Sequence, residues 1–115
     1  MPARYTVIRD DYLDLPIDGE DVDFDIKFAA PDINPHAKSV LLYRVQPTGN
    51  VQLTVTINGE EVRTTPFGVP GNRSFHEVVR RDTVRENDNI LTLRVSGADT
   101  GEKIRVTDLV LLYSE

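Results

Sequence analysis

Apolar and polar residues alternate with a period of two along most of this chain. The cleanest case is the segment from Val22 to Phe28, in which Val22, Phe24, Ile26 and Phe28 share one face and Asp23, Asp25 and Lys27 the other. Successive side chains of a strand point to opposite sides of its sheet, so this pattern predicts a half-buried strand. Residues 51–57 repeat the pattern. Asn58-Gly59 follows, the pair preferred in two-residue hairpins because both central residues need positive φ. Such a turn places Ile57 opposite Glu60 and Val55 opposite Val62, with a returning strand over residues 60–64. Further strands are predicted at residues 4–9, 39–46, 74–79, 90–96 and 104–113. A helical repeat never outcompetes alternation over more than about ten residues. The polar segment 80–88 has room for one helical turn.

Proline and glycine punctuate the strands. Pro31, Asn34 and Pro35 mark a loop over residues 29–37, and two prolines with two glycines mark another over residues 65–73. About eight short strands with turns at this spacing predict an all-β sandwich or barrel, of which an antiparallel two-sheet sandwich is the expected form. One domain is expected over residues 1–115. Within it, residues 1–21 supply a strand and an extended segment whose Tyr12, Leu13, Leu15 and Ile17 lie over the core.

Two strands break the one-faced rule. In 39–46, Val40 and Leu42 lie on one side and Leu41, Tyr43 and Val45 on the other. In 104–113, both parities are again apolar. A sheet in a solvated sandwich needs only one apolar face, so the surplus predicts a contact surface. Leu41, Tyr43, Leu109, Leu111 and Tyr113 are the expected interface, with a second copy or another protein as partner, unless residues 12–17 cover them. Asp108 falls on an otherwise apolar parity, and a β-bulge near Thr107 is expected to turn it outward.

The segment from Val55 to Val62, together with Asn89 to Val95, resembles the hairpin and later strand of galactose-binding-like jelly-roll domains, which include sugar-binding modules attached to glycoside hydrolases. The likeness spans roughly residues 22 to 113, with the segment from Ser74 to Val79 standing for the intervening strand. It implies a jelly-roll topology and, as one possibility, glycan binding. Phe67, Asn72, Arg73 and His76, near one long loop, are then the candidate ligand contacts, since such sites pair an aromatic face with a few polar groups. The chain departs from the family in two ways. It has no tryptophan, and Asp88 stands where a glycine is usual before the second asparagine.

Composition narrows the chemistry. There is no cysteine, which removes disulfides, thiol nucleophiles and zinc–thiolate sites. A net charge of −6 disfavours nucleic acid, and no apolar run is long enough to suggest a membrane span. With neither cysteine nor a secretory leader, a cytoplasmic location is the default expectation, the alternative being that the sequence is an excised or processed piece. His36 and His76 are not paired by any catalytic motif, and no G-x-S-x-G, P-loop or H-E-x-x-H is present, so no enzymatic activity and no cofactor are expected. Asp21, Asp23 and Asp25 form a flat stripe, whereas Ca²⁺ needs six or more converging oxygens. Asp18, Gly19, Glu20 and Asp21 lack EF-hand spacing, and no metal site is expected. Arg80, Arg81 and Arg85 form a basic cluster that Glu77, Asp82 and Glu86 are expected to neutralise.

Overall fold

The computed structural model describes residues 3–15, 21–97 and 101–115. Nine strands occur among them: β1 (Ala3–Arg9), β2 (Leu13–Leu15), β3 (Val22–Phe28), β4 (Ser39–Pro47), β5 (Val51–Ile57), β6 (Glu60–Phe67), β7 (Arg73–Val79), β8 (Asn89–Ser96) and β9 (Ile104–Ser114). All pairings are antiparallel. Sheet A has the order β1-β9-β4-β7, with β2 pairing to the start of β9; sheet B has the order β3-β8-β5-β6. This is the two-sheet sandwich that the alternation predicted, in the jelly-roll form that the resemblance implied, with one short strand more.

The core lies between the sheets. Sheet A contributes Leu41, Tyr43, Val45, Ile104, Val106, Leu109, Leu111 and Tyr113, and sheet B contributes Val51, Leu53, Val55, Ile57, Leu91, Leu93 and Val95, all 4% exposed or less. On β3, Val22, Phe24, Ile26 and Phe28 pack against this core while remaining partly exposed. Leu15 is buried, whereas Tyr12 is exposed, its ring 4.1 Å from the Arg105 guanidinium carbon. The expected contact of Ile17 lies outside the described residues.

Several local expectations change. Asn58 and Gly59 both take positive φ, 52° and 84°, and Ile57 faces Glu60 as expected. Val55, however, faces Arg63, because a bulge between Val55 and Thr56 inserts Val62 as an extra residue. The returning strand runs on to Phe67 and includes Pro66. Proline is tolerated there because β6 is an edge strand, where a missing N–H leaves no ladder bond unmade. Residues 80–88 form turns, not a helical turn, with Asp82 and Asp88 at φ 64° and 60°.

The bulge at Asp108 is present. Leu42 faces Val110 while Arg44 faces Thr107, so two residues of β9 oppose Tyr43. Asp108 takes φ 55° and sits 3.6 Å from Arg44. The extra residue also switches parity. Ile104 and Val106 point inward before it, and Leu109, Leu111 and Tyr113 after it. A run that would have buried Asp108, Val110 and Leu112 is thereby turned out.

Candidate binding face

The parity switch decides which side of sheet A meets solvent. Leu41, Tyr43, Leu109, Leu111 and Tyr113, expected to form an interface, all lie in the core. Leu111 faces Leu41 across the β4–β9 ladder, and the Tyr113 hydroxyl donates to the Pro31 carbonyl at 3.0 Å. Burial holds both tyrosines above their ordinary pKa, Tyr43 at about 12. The doubled apolar character is real, but its exposed half is the opposite parity.

The outward-facing half runs across four of the five strands of sheet A. Tyr5 faces Leu112, Leu112 faces Val40, and Val40 faces Val78. One step along, Val7 faces Val110, Val110 faces Leu42, and Leu42 faces His76. Tyr5 is 68% exposed and Val78 59%, with Val7 and Leu112 also open. Neighbouring strands are about 4.8 Å apart, so each row is about 14 Å long. Residues 12–17 were the expected cover, but β2 pairs edge-on with Ile104, Arg105 and Val106, extending sheet A in its own plane. One signal for this face lay in the sequence: the parity of Val40 and Leu42 continues to Arg44 and Gln46, whose charge and amide belong in water.

Beyond the second apolar row the face becomes polar. Arg44 faces Thr107 and Ser74 and donates to Asn72 Oδ1 at 3.4 Å. Arg105 donates from Nε to Asp14 Oδ1 at 2.9 Å. That hydrogen bond holds the Asp14 carboxyl below its ordinary pKa, against partial burial.

At the other end, beside Val78, an open cleft of about 830 Å³ is lined by Lys38, Glu60, Val78, Arg80, Arg81, Asp82 and Thr83. Its wall is fixed by two asparagines. Asn58 Nδ2 donates to Thr83 O at 2.8 Å and to Asn89 Oδ1 at 2.9 Å. The fully buried Asn89 donates to Arg85 O and Phe28 O and accepts from Arg85 N. The Asn58 backbone N–H donates to Ile90 O, and Ile90 N–H donates back to Asn58 Oδ1. Buried polar groups must be paired, and here the pairing clamps the hairpin tip onto the turn that carries Arg80 and Arg81. Asp82 N donates to Pro35 O at 2.7 Å, which ties that turn to the loop before β4.

The four candidate ligand contacts differ in setting. Phe67 is buried, edge-on to Phe75 and beneath the Arg73 guanidinium, 5.5 Å from its centroid. Its ring presents no open platform. Asn72 is held by Arg44, while His76 lies on the outer face of sheet A opposite Leu42. On sheet B, Asp23 pairs with Arg94 at 2.9 Å and Asp25 accepts from Thr92 at 2.7 Å. Among the described residues, no three His, Asp or Glu side chains are grouped as metal ligands would be.

No family model and no curated protein matches this sequence. Solved structures do. A family 29 carbohydrate-binding module from Piromyces equi superposes with a TM-score of 0.62 at 10% identity, over 99% of this chain and 93% of that one. The fold is a jelly-roll β-sandwich, shared with that module. A second family 29 module, solved with cellulohexaose, gives a TM-score of 0.56 at 18% identity over 94% of this chain and 89% of the other. Dimeric latent PorU from Porphyromonas gingivalis gives 0.63 at 12% identity, over 96% of this chain but only 12% of its own length. The same sandwich thus occurs both as a module and as a small part of a much larger protein.

Proposed function

We propose that the chain is a non-catalytic binding module that takes a glycan on the outer face of sheet A. The observation carrying this reading is the pair of exposed apolar rows, with Tyr5 at one end, set between polar groups on both sides. The C–H faces of a pyranose lie against apolar and aromatic surface, and its hydroxyls seek polar groups at the margin. The similarity to a module solved with cellulohexaose supports the reading. Affinity electrophoresis against soluble polysaccharides tests it. Retardation is expected, and Tyr5→Ala with Val78→Ser should weaken it while leaving the circular dichroism spectrum unchanged. A panel of neutral and acidic polysaccharides with no retardation overturns it.

A second reading has its own support. The rows are mostly aliphatic, through Val7, Val40, Leu42, Val78, Val110 and Leu112, and aliphatic surface suits a protein partner or a second copy. Sedimentation velocity over a wide concentration range tests self-association. Leu112→Lys should abolish any dimer that forms through this face, and a monomer at all concentrations rules self-association out.

A further inference from the structure

We infer that the cleft beside Val78 receives a carboxylate, and that the ligand is therefore an acidic, uronate-bearing polysaccharide. The inference rests on the glycan reading above and names its substrate class.

The starting point is which acids are engaged. The sequence placed Glu77, Asp82 and Glu86 beside Arg80 and Arg81. In the fold, Glu77 accepts from Arg63 at 2.8 Å, Asp82 lies 3.0 Å from His36, and Glu86 accepts from Asp32 N at 3.3 Å. Among the described residues, no acid lies within 4.0 Å of Lys38, Arg80 or Arg81. All three line one cleft, whose acids are Glu60 and Asp82. A guanidinium presents a planar fork of donors that matches a carboxylate two bonds at a time.

Register ties the cleft to the apolar rows. Ser39 faces Val79 and Val40 faces Val78. Lys38 and Arg80 are the residues that flank that ladder in sequence, and both line the cleft together with Val78. Two residues along a strand is about 7 Å. The row from Tyr5 through Leu112 and Val40 to Val78 therefore leads directly to the cations. A sugar chain lying on that row brings an acidic substituent within their reach. The chain's net charge of −6 is not an obstacle, because exposed charges more than about 8–10 Å away are largely screened at physiological salt. The aspartates of β3 are on the other sheet, paired with Arg94 and Thr92. The thin aromatic equipment of the rows also fits, since charge can supply the selectivity that stacking does not.

The test compares one backbone in two charge states: polygalacturonate and its highly methyl-esterified form, with neutral glucomannan and polyglutamate as further probes. Binding measured by calorimetry should be at least about tenfold tighter for polygalacturonate than for the esterified form. It should weaken as sodium chloride is raised from about 50 to about 200 mM, as expected for exposed charges. Arg80→Gln with Arg81→Gln should remove that preference, and Lys38→Gln alone should reduce it. Both variants alter exposed side chains, and their unfolding curves report whether they fold. Equal affinity for both forms, unchanged by the double variant, overturns the acidic specificity and leaves the glycan reading standing. Binding to polyglutamate without binding to any polysaccharide overturns both, in favour of an acidic protein segment. No binding to any probe also overturns both.

Discussion

The outer faces of the two sheets share geometry and differ in chemistry. On sheet B, one row reads Asp23, Arg94, Thr54, Thr64, and the next Asp25, Thr92, Thr56, Glu61. These side chains bond along and between the rows: Arg94 to Asp23, Thr92 to Asp25, Thr54 to Thr64, and Thr64 to Glu61. On sheet A, the corresponding rows are Tyr5, Leu112, Val40, Val78 and Val7, Val110, Leu42, His76. Both sheets bury apolar side chains on their inner faces. Sheet B therefore shows what this fold requires of an outer face, which is solvation and cross-strand pairing. Sheet A carries apolar surface that folding does not require, and the proposed binding rests on that surplus.

The sharpest way to break the contrast is to compare adjacent leucines on β9. Leu111 is fully buried and Leu112 is exposed. Leu111→Ala should destabilise by roughly 2–5 kcal/mol, the range for a buried leucine losing its side chain and leaving a cavity. Leu112→Asn should change stability by no more than about 0.5 kcal/mol, as surface substitutions do, while weakening whatever binds the face. Urea unfolding of the two variants measures both. If Leu112→Asn proved as damaging as Leu111→Ala, the parity assigned after the Asp108 bulge would be wrong.

Alkaline pH probes the inner face by another route. Burial raises Tyr43 to about 12, with Glu77 adding to the shift and Arg63 opposing it. The unfolded chain releases the phenolic proton near the ordinary value of about 10, while the folded chain keeps it. Tyr43 is neutral in both states below that value and imposes no penalty there. Between about pH 10 and about pH 12 the unfolded state is favoured by deprotonation, so stability falls by roughly 2–3 kcal/mol. Denaturant titrations across this window should show the fall, and Tyr43→Phe should remove most of it. Tyr113, shifted in the same direction by burial, accounts for part of what remains.

What could be read from the chain follows from whether the cause was local. Asn58-Gly59 announced its hairpin because positive φ at two consecutive residues is a local demand. Asp108 announced its bulge because a charge would otherwise be buried. Asp88 takes φ 60°, a region that glycine enters freely and that aspartate tolerates better than most residues. The insertion of Val62 had no such local sign, since register beyond a turn is settled by packing between sheets. The same holds for the choice between two apolar parities on β4 and β9. Both are hydrophobic enough to be buried, and only Arg44 and Gln46 on one of them favoured solvent. The free charge of Arg80 and Arg81 was least legible, because the acids beside them in sequence find partners across the fold: Glu77 reaches Arg63 on β6, and Asp82 reaches His36.

Smaller effects test whether paired charges behave alike on both sheets. On sheet B, Asp23→Asn removes the partner of Arg94, both half exposed, and should cost less than about 1 kcal/mol, vanishing at high salt. The polar end of sheet A offers the matching case. Arg105's hydrogen bond holds Asp14 below its ordinary pKa, so the folded chain keeps this carboxylate ionised at pH values where the unfolded chain protonates it. The contribution is complete above the ordinary aspartate value of about 4 and is lost as pH falls through the lower folded value. Because Arg105 is substantially exposed, screening keeps the contribution under about 1 kcal/mol. Unfolding curves for the wild type and Asp14→Asn should accordingly differ at neutral pH and converge in acid. A difference persisting in acid would mean that Asp14 acts through packing against β9 and not through its charge, and the polar end of sheet A would then be a structural seam unlike the solvated pairs of sheet B.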